Sequence, residues 1–139
     1  MTVVTKTIRL STQGNADIQD ITVEVAAAVQ QTGLRNGIVI VFTPSATSAL
    51  TTIEYESGCV QDLQHVFDEI ADPNQTYQHE LKWHDGNGHS HVRAALLGPS
   101  LTIPFVNHQL TLGTWQQIVF IDFDTCPRRR ELVVQVIGE

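Results

Sequence analysis

The sequence contains few cysteines and no long hydrophobic segment, and each shortage excludes a class of protein. Only two cysteines, Cys59 and Cys126, occur among 139 residues, and their separation fits no CxxC zinc motif. Two isolated thiols in a chain of this size are typical of a reducing compartment, so we expect a cytoplasmic protein. The longest apolar run, residues 38–42, is far too short to span a bilayer, so we expect no membrane partner.

Positive charge is also scarce. Eight Lys and Arg residues face 15 Asp and Glu residues, which gives a net charge of −7, and the only lysines are Lys6 and Lys82. This balance argues against nucleic acid as a partner, and any anion must be bound by a local group of cations. A hydrophobic content of 42% and a charged content of 17% are those of a globular protein. The length predicts one domain over residues 1–139.

The hydrophobic pattern predicts an α+β fold with a largely antiparallel sheet, because about seven strands and three helices do not alternate regularly. Alternating or continuous apolar residues predict strands at residues 3–10, 37–42, 77–83, 100–105, 116–124 and 131–137. Helical spacing predicts helices from Asp17 or Asp20 to Gly33, over residues 59–71, and over residues 90–97. In the second helix, the residues expected to face inward are Val60, Leu63, Val66, Phe67 and Ile70.

Polar residues that could form a site are concentrated in WHDGNGHSHVRAALLG, residues 83–98, where three of the six histidines fall within eight positions. His91 is expected in the first turn of a helix and His79 on the preceding strand, and the loop between them can fold His91 toward His79 or His84. Two imidazoles, with Asp85 or Glu54 as an oxygen ligand, suit zinc or a similar metal. Alternatively, these polar groups only satisfy the backbone donors of a helix N-terminus.

Three consecutive arginines at residues 128–130 are the best candidate for holding phosphate or carboxylate, because guanidinium binds such groups bidentately. The alternative is a turn that the arginines brace before the last strand. A serine hydrolase site at Ser45 or Ser48 is disfavoured, since the sequence has no GxSxG motif.

Four segments together resemble a known family, the YjbQ family, also called uncharacterised family 0047 or secondary thiamine-phosphate synthase enzymes. They are TTIEYESG (residues 51–58), YQHELKWHDGNGHSHVRAALLGPSLTIPF (77–105), LGTWQQIVFIDFD (112–124) and PRRRELVVQVIGE (127–139). The resemblance implies a compact α+β fold, a homotrimer with polar clefts between subunits, and a weak activity that joins a pyrimidine diphosphate to a thiazole phosphate.

The resemblance also implies a set of site residues. The matching positions are the acidic residue Glu54, the histidines His79 and His91, the loop residue Asn87, the pair Trp115 and Gln116, and the arginines Arg128 and Arg130. One position departs from the family pattern: many members have a histidine-threonine-threonine run where this chain has Ser45-Ala46-Thr47. The missing histidine removes a third imidazole and weakens a three-histidine metal site.

Two functions follow as hypotheses. The first is a thiamine-phosphate-synthase-type transferase, which needs the diphosphate charge neutralised, usually by Mg²⁺, and two substrates held in orientation. Its expected roles are phosphate binding by Arg128 and Arg130, metal binding by Glu54 or Asp85, and bonds to the leaving oxygens by His79 and His91, with Asn87 in the same site. The second is a trimer that binds a metal (Mg or Zn) through His79 and His91, or a small phosphorylated ligand, with negligible turnover. A purely structural role is weaker, because so many unpaired polar groups are costly in a scaffold.

Overall fold

A computed structural model covers residues 1–139 and contains eight strands and four helices. The strands are β1 Thr2–Thr12, β2 Asp17–Asp20, β3 Gly37–Phe42, β4 Ser48–Ile53, β5 Ser100–Val106, β6 Gln109–Leu110, β7 Gln117–Asp122 and β8 Arg128–Gly138. The helices are α1 Thr22–Gln30, α2 Ser57–Ile70, α3 Gln78–Trp83 and α4 Gly88–Leu97. Every strand pairing is antiparallel, which confirms the predicted α+β fold. None of the helices combines the length and apolar character needed to cross a membrane.

The strands form two sheets. One has five strands in the order β1-β8-β3-β5-β6, and the other has three in the order β2-β7-β4. Strand β3 pairs on both sides, with Val41 opposite Val134 of β8 and opposite Leu101 of β5, so its continuous apolar sequence suits an interior position. The prediction of a strand over residues 37–42 is confirmed, and the strand lies at the centre of the five-stranded sheet.

The three-stranded sheet lies between two hydrophobic clusters. Residues such as Ile118 and Phe120 of β7 face α1 and the inner side of the five-stranded sheet. Their neighbours Val119 and Ile121 face a second cluster that includes Phe67 of α2 and Ala94 of α4. Because β7 is buried on both faces, its position is fixed from both sides, and the residues at its C-terminal end are held in a dry environment.

Three predictions about the helical region are wrong. Residues 77–83, expected as a strand, form helix α3, because Glu80 accepts a hydrogen bond from the backbone N–H of Tyr77 in a capping box. In α2, Val66 and Ile70 were expected to face inward, but they are 40% and 61% exposed. Phe67 is the one buried residue of that helix. Helix α1 begins at Thr22 and its N-cap residue is Ile21, so neither Asp17 nor Asp20 is the cap that the sequence predicts. Asp20 is the last residue of β2, and its side chain accepts a hydrogen bond from the backbone N–H of Thr22.

Candidate functional site

Two histidines from different helices meet beside the loop at residues 84–87. His79 lies on α3 and His91 on α4, and their ring centroids are 4.4 Å apart with planes inclined at 43°. The loop reverses the chain because His84 and Gly86 adopt left-handed conformations, with φ values of 55° and 67°. The structure therefore brings together the two imidazoles that the sequence predicts as neighbours, although both lie on helices.

Asp85 orients the ring of His79. Its carboxylate lies 3.3 Å from Nε2 of His79 and accepts a 3.1 Å hydrogen bond from the backbone N–H of Asn87. Desolvation raises the pKa of Asp85, but the interactions with Asn87 and His79 outweigh it, so the pKa is lowered and the carboxyl group is ionised at neutral pH. A carboxylate at Nε2 favours the tautomer in which Nδ1 of His79 is free to accept a hydrogen bond or to bind a ligand.

Asn87 connects the histidine loop to the end of β7. It is only 8% exposed, and its Nδ2 atom lies 3.4 Å from Oδ2 of Asp124. The residue precedes α4, yet its side chain does not cap that helix, and Oδ1 is buried without a hydrogen-bond partner. Leaving a buried acceptor unpaired is costly. The Oδ1 atom of Asn87 can therefore accept a hydrogen bond from a donor that the chain itself does not supply.

A second polar group forms where β7 and β8 meet. Asp122 is completely buried and accepts hydrogen bonds from Nε of Arg130 at 2.8 Å and from a terminal nitrogen of the same guanidinium at 3.0 Å. The hydroxyl of Thr12 donates to the same carboxylate at 2.6 Å. The hydrogen bonds to Asp122 raise the pKa of Arg130 despite its partial burial. This is a bidentate ion pair that joins β7 of the three-stranded sheet to β8 of the five-stranded sheet.

The neighbouring carboxylate of Asp124 is also buried. Burial raises its pKa, but hydrogen bonds from the backbone N–H of Cys126 and from the side chains of Arg128 and Thr47 lower it by more. Arg128 lies 3.3 Å from this carboxylate and is about half exposed, with 49% of its side chain accessible. Arg128 can therefore contact both Asp124 and a ligand in solvent.

The arginines at 128–130 do not form one cationic patch. They belong to β8, which begins three residues earlier than predicted, and the alternation of a strand directs Arg129 to the opposite face of the sheet from Arg128 and Arg130. The guanidinium of Arg130 is occupied by Asp122, which is the bracing arrangement considered as an alternative. Phosphate binding by Arg128 and Arg130 stays a prediction, and Arg128 has the more accessible side chain.

The sequence also matches a family model over nearly its whole length. The model, described as "UPF0047 protein YjbQ-like", aligns with residues 6–139. The chain belongs to the YjbQ family. Its relatives include a UPF0047 protein of Methanothermobacter thermautotrophicus, which is 37% identical over 139 residues covering 100% of this chain and 95% of the relative. The UPF0047 protein YugU of Bacillus subtilis is 34% identical over 135 residues, covering 96% and 98% of the two chains.

Solved structures of YjbQ-like proteins share this fold. A YbjQ-like protein of unknown function from Sulfolobus solfataricus superposes with a TM-score of 0.94 at 31% identity and covers 99% of both chains. An uncharacterised member of the YjbQ/UPF0047 family from Clostridium acetobutylicum gives a TM-score of 0.87 at 33% identity, covering 95% of this chain and 99% of its own. The two-sheet arrangement is therefore that of the YjbQ family.

The residues that the YjbQ resemblance assigns to one site fall at two ends of the three-stranded sheet. In the β4–β7 register, Ser48 lies opposite Asp122 and Ile53 opposite Gln117, so the two ends are about 17 Å apart at roughly 3.4 Å per residue. The histidines lie at the first end, and Glu54 follows Ile53 at the second. The expectation that Glu54 lies beside the histidines is wrong within a single chain.

Trp115 and Gln116 of the LGTWQ motif lie at the same end as Glu54. Trp115 is exposed, and the side chain of Gln116 accepts from the backbone N–H of Gly113 at 3.1 Å and donates to Thr52 at 3.2 Å. These bonds hold the loop before β7 against the end of β4. None of them reaches the histidines.

The metal site that the resemblance implies does not fit the residues of one chain. No group of three His, Cys, Asp or Glu side chains is arranged to hold an ion. His79 and His91 provide two imidazoles, and Ser45 stands where many family members have a third. The bond from Asp85 to His79 does match the carboxylate partner that metal-binding histidines usually have. A metal at His79 and His91 would therefore need further ligands from a second chain or from a substrate.

Several residues of this site were missed from the sequence. The carboxylates of Asp122 and Asp124 and the hydroxyls of Thr12 and Thr47 belong to this polar group, and none of them is among the predicted site residues. A signal existed: two carboxylates spaced by two residues at the end of the apolar run IVFIDFD lie on the same side of a strand. Carboxylates in such a run must be paired, since unpaired burial of their charge is too costly.

Proposed function

We propose that the protein is a weak thiamine-phosphate-synthase-type transferase that acts on small phosphorylated substrates. In this reaction the lone pair of the thiazole nitrogen forms a bond to the methylene carbon of the pyrimidine diphosphate. The carbon–oxygen bond to the diphosphate breaks, and its electron pair leaves with pyrophosphate. No proton transfer is required, so the demands on the protein are orientation and stabilisation of the leaving charge.

The observation that carries this proposal is the pair of imidazoles at His79 and His91. Every imidazole has at least one N–H group, and the ring of His91 makes no hydrogen bond within the protein, so that donor is available to a leaving oxygen. The ring of His79 is held by Asp85 through Nε2, so its Nδ1 atom faces away from that carboxylate and can contact a substrate. Arg128, half exposed nearby, supplies the cationic group for the diphosphate.

The proposal is tested by incubating the purified protein with the pyrimidine diphosphate and the thiazole phosphate and measuring thiamine phosphate and pyrophosphate together. We expect slow turnover that falls about a hundredfold in His79→Ala and in His91→Ala, as is usual when a group that stabilises transition-state charge is lost. His65→Ala is the matched control, because His65 lies exposed on α2 and pairs with Glu69. Equal rates in all four proteins would contradict the assignment of the site.

The proposal includes a homotrimer. The separation between Glu54 and the histidines supports it, since these residues can share a cleft only if different chains bring the two ends of the sheet together. The outer face of the five-stranded sheet also supports association with other chains. It carries Ile38, Phe42 and Val133, each between 37% and 39% exposed, and no helix covers them. Contiguous apolar patches of this kind are typical of protein–protein contacts.

The second candidate function is binding without turnover, in which the same site holds a transition metal or a phosphorylated ligand. The contact between Asp85 and His79 favours it, because a carboxylate on one ring nitrogen is characteristic of histidines that bind metal through the other. Metal analysis of the purified protein, combined with the turnover assay, separates the two functions. A transition metal bound in a fixed ratio to the chain, with negligible product, would favour binding.

A further inference from the structure

Strand β1 lies at the edge of the five-stranded sheet, and its outer side pairs with no other strand. It has eleven residues, and its pairing with β8 runs without a bulge from Thr2 opposite Gly138 to Thr12 opposite Arg128. Proteins often protect such an edge with a short strand, a proline or a bulge, because an open edge is a template for a further strand. Strand β1 has none of these three features.

The odd-numbered residues of β1 direct their backbone groups away from β8. In an antiparallel pair, the N–H and C=O groups of one residue point to the same side, and that side alternates along the strand. Just beyond β8, Glu139 exchanges both backbone bonds with Asn36 on the β3 side, so the even-numbered residues of β8 face β1 and bond to its even-numbered residues. The outward carbonyl of Ser11 accepts from Nε2 of Gln19 at 2.8 Å. The outward backbone groups at positions 3, 5, 7 and 9 make no such bond.

A cavity of about 320 Å³ lies on the outer face of the sheet at this edge. Arg9 lies opposite Glu131 and Ser11 opposite Arg129, and these side chains share the outer face because the buried Ile8 points to the other one. Arg9 pairs with Glu131 at 3.1 Å, whereas the exposed guanidinium of Arg129 makes no ion pair. A free guanidinium binds carboxylates well, so this cavity suits an acidic side chain.

A second cavity of about 320 Å³ lies on the inner face of the same strand, between β1 and α1. Ile8, Ala27 and Ala28 give it an apolar surface. Lys6 and Glu24 also line it, and their opposite charges cancel. The inner cavity therefore suits an uncharged aliphatic side chain.

We propose that β1 receives an extended, acidic segment of a partner protein as a sixth strand of this sheet. Side chains of an added strand alternate between the two faces, so its acidic residues reach the outer cavity and its aliphatic residues the inner one. In complexes of this kind the backbone bonds provide affinity, and cavities for alternate side chains provide specificity. Charge also favours an acidic segment: β1 contains Lys6 and Arg9 but no acidic residue, in a chain whose net charge is −7.

The first test measures backbone amide hydrogen exchange in the whole protein with and without the peptide acetyl-EVEVEVEV-amide. The amides at positions 3, 5, 7 and 9 should exchange at least about tenfold more slowly when the peptide is bound, whereas the even-numbered amides of β1 are already bonded to β8 and should change little. Two control peptides should bind at least about tenfold more weakly. Acetyl-KVKVKVKV-amide has the opposite charge, and acetyl-EEVVEEVV-amide has the same composition without strict alternation.

The second test separates backbone pairing from side-chain contact by comparing Thr7→Pro with Thr7→Ala. Proline at position 7 removes an outward N–H group and leaves the bonds to β8 in place, as is usual for proline on edge strands. Affinity for acetyl-EVEVEVEV-amide should fall at least about tenfold in Thr7→Pro and change little in Thr7→Ala. Arg129→Ala should weaken binding about two- to fivefold, as expected for an exposed ion pair. Lys82→Ala removes the same charge from α3 and should bind like the natural protein.

Each part of the proposal has an outcome that overturns it. If Lys6 and Arg9 only protect the edge, the peptide leaves amide exchange unchanged, and no strand is added at β1. Equal affinity of folded Thr7→Pro and Thr7→Ala proteins would lead to the same conclusion, and the exchange pattern decides the question even where Thr7→Pro does not fold. Equal binding of the basic peptide would overturn the acidic partner. A smaller assembly mass in Thr7→Pro than in Thr7→Ala would mean that β1 contacts another copy of this chain instead.

Discussion

The two ends of the three-stranded sheet hold their polar residues in opposite ways. At the end near Asp122, two buried carboxylates are paired with arginines and connected through Asn87 to the histidine loop. At the end near Gln117, Trp115 is 72% exposed, and Glu54 is exposed beyond the last residue of β4. The first end is already assembled in one chain, whereas the second presents its polar and aromatic side chains to solvent.

This difference indicates which half of the site one chain can build. Charged groups that are buried and paired keep their geometry without a ligand, because moving one would leave its partner unpaired. Exposed side chains such as Glu54 and Trp115 gain a fixed orientation only from another surface. In the proposed homotrimer, the second end of one chain would lie against the first end of another.

The largest expected effect is loss of the assembly. We predict that light scattering gives three times the chain mass of 15.4 kDa. A lysine at Ile38 or Val133 should reduce this to the single-chain mass, because a charge on the uncovered apolar sheet face cannot be buried against a second chain. Val23→Lys, at an exposed position on α1, is the control and should leave the mass unchanged. A single-chain mass for the natural protein at micromolar concentration would contradict the trimer.

The next largest effect is a difference in how much the two ends of the three-stranded sheet contribute to the free energy of unfolding. Asp122→Ala should lower the free energy of unfolding by about 3–5 kcal/mol, because it leaves the guanidinium of Arg130 largely buried without its carboxylate. Glu54→Ala, at the exposed end, should change it by no more than about 0.5 kcal/mol. Urea unfolding of both variants measures the difference. Similar losses would mean that the two ends are not held differently.

Much of the fold could be predicted because the residue pattern within a single strand was sufficient to identify that strand. The run GIVIVF at β3 and the run IVFI in β7 are apolar at consecutive positions, which predicts strands inside a sheet. Strand β7 is buried on both faces, whereas β3 is paired on both sides but exposes Ile38 and Phe42 on its outer face. The segment at residues 77–83 could not be predicted in this way. Its helical state depends on two bonds of Glu80, one to Tyr77 and one to the backbone N–H of Gly88, and the second joins residues eight positions apart.

The site was predicted where its residues are close in sequence and missed where they are not. His79, Asp85 and His91 lie within 13 positions, so a single loop reversal brings them together. Arg130 and Asp122 lie on strands of different sheets, so their pairing depends on how the two sheets pack, and hydrophobic periodicity carries no information about that packing. Glu54 follows β4 at the other end of the sheet from the histidines, and the resemblance that assigns these residues to one site carries no information about that separation within one chain.

A smaller effect concerns anion binding at the assembled end. Arg128→Ala should weaken pyrophosphate binding about ten- to a hundredfold, since a charge-assisted hydrogen bond contributes about 1.5–3 kcal/mol. Lys6→Ala, on β1, should change affinity little. Arg130→Ala should lose stability as well, because Asp122 is then buried without its partner. Calorimetric titration of folded variants measures affinity, and unchanged affinity in both arginine variants would exclude an anion site here.

The smallest effect is a pH dependence of stability at His89, in the first turn of α4. Burial lowers the pKa of His89, and the nearby Arg93 lowers it further, so the unfolded chain takes up a proton at a higher pH than the folded one. Stability should therefore decrease as the pH falls below about 6.5, the ordinary pKa of histidine, and level off below the folded pKa. Urea unfolding between pH 7.5 and 5 measures this effect, because that range lies above the carboxyl range of Asp85 and Asp124. The free energy of unfolding should change less steeply with pH in His89→Gln than in the natural protein. His65→Gln, at an exposed position, should keep the natural slope, and an unchanged slope in His89→Gln would mean that this histidine is not the group responsible.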